Sequence, residues 1–304
     1  GRVGPLYWPI MPHATGRTCV PRELNGADWS QVEPILTELL ARPVATAAEF
    51  EQWMLDRSEI EAACDEARAN LYIASSCDTE DKAKTEAYAA FIQGVAPKLE
   101  TVGFELDKKQ VALAERLRPN PARYMVLERS KRSRIDLFRK ENVPIQTDLE
   151  KLGQEYGRIA GAQTVQFDGQ ERTLPQMGAY LQETDRSVRE AAWRAVNDRR
   201  LLDRDKLDDL LDRMIAQRTE MARNAGCASF VEYVFKDKQR FDYTPEHCRA
   251  FWRAAEKHVV PFMNRLAARR KQQLEVSDLR PWDMGVDPMG RPGLKPFSGG
   301  RDLF

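Results

Sequence analysis

Histidine is scarce: the 304 residues contain three, His13, His247 and His258. A hydrolytic metal site draws on two or three neutral imidazoles or carboxylates and leaves a position open for water. Neither H-E-x-x-H nor H-x-x-E-H occurs. His247 and His258 are eleven residues apart on one expected helix. Three turns can put both on one side, but about 16 Å then separates them along the axis at 1.5 Å per residue, too far for one metal ion. Cysteine is also sparse, with five residues (Cys19, Cys64, Cys77, Cys227, Cys248) and no C-x-x-C. An odd count without paired spacing argues against a disulfide framework or a zinc ribbon and for reduced thiols in the cytoplasm. Cys248 adjoins His247, but neighbours on a helix point about 100° apart, so a buried thiol is the plain reading.

Net charge is absent too. Lys+Arg and Asp+Glu both number 47, so no global field draws the chain to nucleic acid or an anionic membrane. The one dense basic run, Arg129–Arg134 with Arg139-Lys140, is read as a solvated helix face. No stretch of 18 apolar residues could cross a membrane, and GRVGPLYWPI is a poor signal peptide. There is no G-x-S-x-G elbow, no G-x-x-x-x-G-K-[ST] loop and no G-x-G-x-x-G turn. Paired carboxylates such as Asp208-Asp209 and Glu80-Asp81 sit among basic residues and read as solvated surface. From the residues alone, no catalytic or metal-binding residue can be assigned, and substrate-binding residues stay unknown.

What is present is helical periodicity. Trp29, Val32, Ile35, Leu36, Leu39 and Leu40 form one apolar stripe, stopped by Arg42-Pro43. Thr46 caps a long second helix to about Ser76, with Phe50, Trp53, Met54, Leu55, Ile60, Leu71, Tyr72 and Ile73 on its apolar side. Asp78 or Thr79 is expected to cap a run through Tyr88, Val95 and Phe104 to Leu117. Tyr124–Lys140 and Thr147–Ala160 read as helices separated by a loop at Asn142-Val143-Pro144. The aromatics in these helices are expected to be core. At 164–174 the pattern alternates on either side of Asp168-Gly169, a type I′ turn signal. The hairpin should lie against helices or join strands beyond Phe304. Asp185, Asp205 and Thr244-Pro245-Glu246 open further helices, the second ending at Asn224-Ala225-Gly226 and the last running to about Gln273. Leu279–Phe297, with four prolines and three glycines, is an irregular connection. The expected class is mainly α: an elongated bundle of long antiparallel helices with one small β-hairpin at about 164–174.

Seven strings in order resemble the oligoendopeptidase F branch of the thimet-oligopeptidase-like zinc metallopeptidases: WMLDRSE (Trp53–Glu59), IDLFRKENVP (Ile135–Pro144), TVQFDGQERTL (Thr164–Leu174), DRSVREAAW (Asp185–Trp193), RTEMARNAGCASFVEY (Arg218–Tyr233), RFDYTP (Arg240–Pro245) and LRPWDMGVD (Leu279–Asp287). The resemblance runs from about Cys19 to Phe304. It implies a helical zinc peptidase whose halves enclose a channel for short peptides. Zinc would be held by the two His of an H-E-x-x-H helix and a downstream Glu, with the motif Glu as general base. None of these positions has a counterpart here, so no metal or catalytic residue carries over.

The implied layout is a disordered tail over 1–18, a helical domain over 19–160, and over 161–304 a hairpin and helices that begin the peptidase domain, ending before the zinc-binding helix. Gly1 in place of Met, with Met11 close behind, fits an incomplete gene product. The expectation is part of a zinc-dependent oligopeptidase, inactive alone, with zinc and short peptides belonging to the full-length family and no nucleic-acid or membrane partner. The alternative is a non-catalytic helical module that binds peptides or a protein partner.

Overall fold

The computed structural model describes residues 19–21 and 23–291. The expected tail, His13 and residues 292–297 of the irregular stretch lie outside the described residues. The fold is mainly α with one small antiparallel hairpin, and no described helix is long and apolar enough to cross a membrane. The chain divides into two compact units and passes between them three times, twice within a helix and once just after Gln239.

The first unit comprises the described residues up to Lys151 together with Gln217–Gln239. Helix α1 (Trp29–Ala41) is capped by Asp28, whose Oδ1 accepts the Ser30 N–H at 3.0 Å. Helix α2 (Ala47–Cys77) opens with a capping box in which Thr46 and Glu49 each bond the other's backbone, satisfying donors a helix start leaves orphaned. Val32, Leu36 and Leu39 of α1 meet Phe50, Trp53 and Ile60 of α2 in the main core. The buried Trp53 indole donates to Leu39 O at 2.9 Å, so the polar end of this large side chain is satisfied as its ring is buried.

Several expectations need correction in this unit. The run from Tyr88 to Leu117 is two helices, α3 (Lys82–Gly94) and α4 (Ala96–Leu117). Pro97 lies in the first turn of α4, where its missing N–H costs nothing, whereas in the interior of one long helix it would remove a hydrogen bond and crowd the preceding turn. The cap of α3 is Asp81, which accepts from Lys84 N–H at 3.2 Å, rather than Asp78 or Thr79. Helix α5 (Pro121–Leu137) follows its cap Asn120. Helix α6 (Asn142–Gly161) begins inside the expected loop, because Pro144 falls in its first turn. Leu55, Tyr72 and Ile73 of α2 are exposed rather than core, since α2 at 31 residues carries apolar side chains beyond the stripe its partners cover.

The second unit comprises Leu152–Ala216 and the described residues from Arg240. Strands β1 (Thr164–Phe167) and β2 (Gln170–Thr173) pair antiparallel from Thr164↔Thr173 to Phe167↔Gln170. Asp168 and Gly169 both have positive φ, 54° and 71°, as a type I′ turn requires. The hairpin is anchored by Phe167, whose ring meets Tyr180 of a 3₁₀ turn at 4.8 Å. Helix α7 (Arg186–Leu201) is capped by Asp185 as expected. Helix α8 (Arg204–Asn224) starts before Asp205: the Leu207 N–H already bonds Asp203 O at 3.0 Å.

From Gln217, within α8, the chain is back in the first unit, where α9 (Phe230–Asp237) forms behind Ser229. This eight-residue helix was not anticipated, because two turns are too short for a periodicity to show. Thr244 then caps α10 (Pro245–Ala254), which continues through a π-turn, Ala255–Val259, into α11 (Val260–Gln273). The π-turn has a local cause. Pro261 has no N–H for the Lys257 carbonyl and its ring crowds that position, and the Val260 N–H reaches back to Ala255 O, widening the helix for one turn. The described part of the expected irregular connection contains only a 3₁₀ turn, Pro281–Asp283.

Candidate functional site

Of the two described histidines, His247 serves local structure. In the second unit the His247 backbone N–H donates to Thr244 Oγ1 at 3.4 Å, and its Nδ1 accepts the Thr244 N–H at 3.2 Å. It closes a capping box. His258 is exposed in the π-turn. Cys248 is half-buried rather than buried, because it lies on a helix with no buried residue. Cys64, in the first unit, is core, and burial pushes its thiol up to about 11, far from the thiolate that nucleophilic chemistry needs. Among the described residues no group of three His, Cys, Asp or Glu is placed to hold a metal ion. The described residues therefore offer no ligand set that fits the zinc the family resemblance implies.

The charged groups that do converge were not legible as sites. In the first unit Asp107 on α4 is buried and bonds Arg57 of α2 at 2.6 Å, Lys131 of α5 at 3.1 Å and Arg134 of α5 at 3.3 Å. Arg57 also binds Gln110 at 2.9 Å and Glu61 at 2.8 Å. The basic run 129–134 is thus not wholly a solvated face: Ser130 and Lys131 are buried. The signal was there in helical spacing, since residues 130, 131, 134 and 137 share one side of α5. Burial, and then the neighbouring Arg57, press the Lys131 ammonium below its ordinary range.

In the second unit Asp283 is fully buried. It accepts from Arg186 at 2.9 and 3.0 Å, from Arg189 at 3.1 Å and from the Arg280 backbone N–H at 2.9 Å. Burial opposes its charge, yet these donors hold it down to about 2. Asp203 lies in an open cavity of about 340 Å³, lined also by Arg158, Arg199, Lys206 and Asp209. Hydrogen bonds from Arg199, then Gln163 and Lys206, hold it at about 2. A carboxyl held that low is a poor general base or acid near neutral pH, where a matched proton affinity is needed. Both arrangements fasten helices.

The second unit also presents apolar surface. Phe251, Trp252, Val259, Phe262, Met263 and Leu266 on α10, the π-turn and α11 are each between 42% and 72% exposed. Further along α11, Arg270 donates to Val286 O at 2.6 Å and ties the helix to the unit.

Residues 179–287 match the model of Peptidase family M3. The matched segment covers about a third of the chain. The match takes in α7 to α11 and the Asp283 anchor. None of the curated proteins matches the chain. Among solved structures, the chain is similar to an oligoendopeptidase F from Bacillus anthracis str. Ames, with a TM-score of 0.78 and 23% identity over 85% of this chain and 48% of that one. PZ peptidase A crystallised with an inhibitor gives a TM-score of 0.78 at 21% identity, over 85% and 46%. An oligoendopeptidase F from Enterococcus faecium gives 0.65 at 16%, over 86% and 55%. The chain thus has the helical fold of these structures and spans about half their length.

Proposed function

We propose that this chain forms part of a zinc-dependent oligopeptidase acting on short peptides, contributes helical wall to its substrate channel, and does not cleave peptides by itself. The observation that carries this reading is the M3 match over 179–287 in a chain without an H-E-x-x-H motif. The catalytic zinc, its ligands and the general base then reside on polypeptide outside these 304 residues. When bound there, zinc would supply a water acidic enough to act as nucleophile near neutral pH. This chain's residues would contribute shape and apolar surface. The exposed apolar side of α10 and α11 supports the reading over a self-sufficient binding module, because a patch of this kind marks surface that another polypeptide covers. Five free thiols suit work in a reducing compartment such as the cytoplasm.

The test is turnover of a fluorogenic oligopeptide by the purified chain, with and without added zinc, beside calorimetric titration with zinc. No hydrolysis and no stoichiometric zinc uptake at micromolar concentration are expected. Turnover that survives contaminant controls and is abolished by His247→Ala or His258→Ala would overturn the proposal.

A further inference from the structure

One helix of the second unit stands apart in how little of it is covered. From Pro245 to Gln273, through α10, the π-turn and α11, no residue is buried. Its apolar side chains nevertheless keep helical order. Trp252, Ala255, Val259, Phe262 and Leu266 follow one another at steps of three and four residues, with Phe251 beside them. They make one seam roughly 20 Å long at 1.5 Å per residue. The seam does not run out into solvent at its far end. Arg270 and Leu274 continue it at steps of four and are half-buried. Arg270 donates there to the carbonyls of Asp283 at 3.2 Å and Val286 at 2.6 Å, so this end already packs on backbone of the same unit.

The edges of the seam are basic. Between Pro245 and Gln273 lie seven Lys and Arg against Glu246 and Glu256, a net charge of +5 in a chain whose total is zero. Glu246 is taken up by Arg249 at 2.7 Å and Arg253 at 2.8 Å. Lys257, Arg265, Arg269 and Lys271 are exposed and form no ion pair with the described residues. Arg265 and Arg269 follow Phe262 at three and seven positions and so line its edge of the seam, and Arg265 lies over the Phe262 ring at 5.6 Å.

We propose that this side of α10 and α11 docks an acidic amphipathic helix of the polypeptide that completes the oligopeptidase, with its apolar stripe on the seam and its carboxylates against Arg265 and Arg269. The inference rests on the reading that the catalytic part lies on other polypeptide and covers this face. The spacing selects a helix, because helices pair through apolar residues repeating every three to four positions. The rim selects the sign, because unpaired cations repel a basic partner and attract an acidic one. A bilayer would need an open plane, and the 283–286 backbone stands at one end of the seam.

The test is fluorescence anisotropy with the 304-residue chain and a labelled helical peptide carrying leucine at the seam spacing and glutamate at the flanking positions. The same peptide with lysine for glutamate is the comparison. At low salt the acidic peptide should bind about tenfold more tightly, from two exposed ion pairs gained in one case and two like-charge contacts in the other, and salt should narrow the gap. Arg265→Glu combined with Arg269→Glu should reverse the preference. Phe262→Ser should weaken both peptides. These side chains are exposed, so the melting temperature should stay near wild type in each variant. Bound acidic peptide should slow hydrogen exchange over 251–266 and leave α1 unchanged. No binding of the acidic peptide, equal affinity for the two, or an unchanged preference in the double variant would overturn the inference. So would flotation with phosphatidylserine vesicles without acidic-peptide binding, which gives the face to a membrane, or a sedimenting dimer that Phe262→Ser dissociates, which gives it to a second copy. Each of these results leaves the oligopeptidase reading standing, because that reading falls on peptide turnover by the chain itself.

Discussion

Asp107→Asn isolates the largest electrostatic commitment in the first unit. The substitution keeps the shape and deletes one charge. In the native protein Asp107 and Arg57 side chains are each 2% exposed, and Lys131 is 10%. With the carboxylate gone, two buried cations keep only Glu61, itself 43% exposed, and neutral Gln110. Removing one partner of a buried pair costs about 3–5 kcal/mol. Lys131 offers partial escape, because burial and then Arg57 already favour its neutral form, so the expected loss is near the lower end, about 3 kcal/mol.

That is a large share of the roughly 5–15 kcal/mol that holds a typical domain. The loss should shrink as pH rises, because a lysine depressed in the folded state releases its proton there first and the unfolded chain binds more protons. Urea unfolding followed by circular dichroism gives the number, with an unchanged m value expected. A loss under about 1 kcal/mol would refute the reasoning. So would an equal loss in the triple variant Asp107→Leu, Arg57→Met, Lys131→Met, which removes the charges together and should come close to wild type.

Two further perturbations address close packing and the second unit's anchor. A Cβ at Gly26 would fall well inside contact distance of the Ala63 carbonyl and the Cys64 Cα. Gly26→Ala should therefore cost roughly the 1–3 kcal/mol of an overpacked site or more, since backbone cannot swing aside, and lower the melting temperature accordingly; an unchanged melting temperature would contradict the close approach. For Asp283, held at about 2 with Arg186, Arg189 and Arg280 around it, the sign is that of a depressed acid. Its contribution is present above the ordinary carboxylate range and is lost as pH falls toward about 2. Asp283→Asn should be less stable at neutral pH and should show a weaker acid limb, read by thermal melts against pH; parallel limbs would sink this.

Local chemistry made most elements legible from the residues. Asp28, Thr46, Asp185 and Thr244 cap helices because their side-chain oxygens satisfy orphan amides a few atoms away. Asp168-Gly169 turns the hairpin because those two residues tolerate positive φ. Proline was weighed the wrong way at two places: the expected run to Leu117 passes through Pro97, where a new helix starts, and Pro144 reads as loop although proline is welcome in a helix's first turn. The absence of an H-E-x-x-H motif was likewise plain, being a matter of sequence alone.

Tertiary structure alone decided what the charged and polar groups do. Lys131 sits in a run of basic residues that reads as surface, and only the approach of Asp107, 24 positions earlier in the chain, makes its burial tolerable. Glu100, Gln146 and Asp237 come from three helices and line one open cavity. Capping and turn formation act within a few residues, so their signals survive in sequence. Burial and ion pairing depend on distances between segments far apart in the chain, and those distances exist only once the helices have packed.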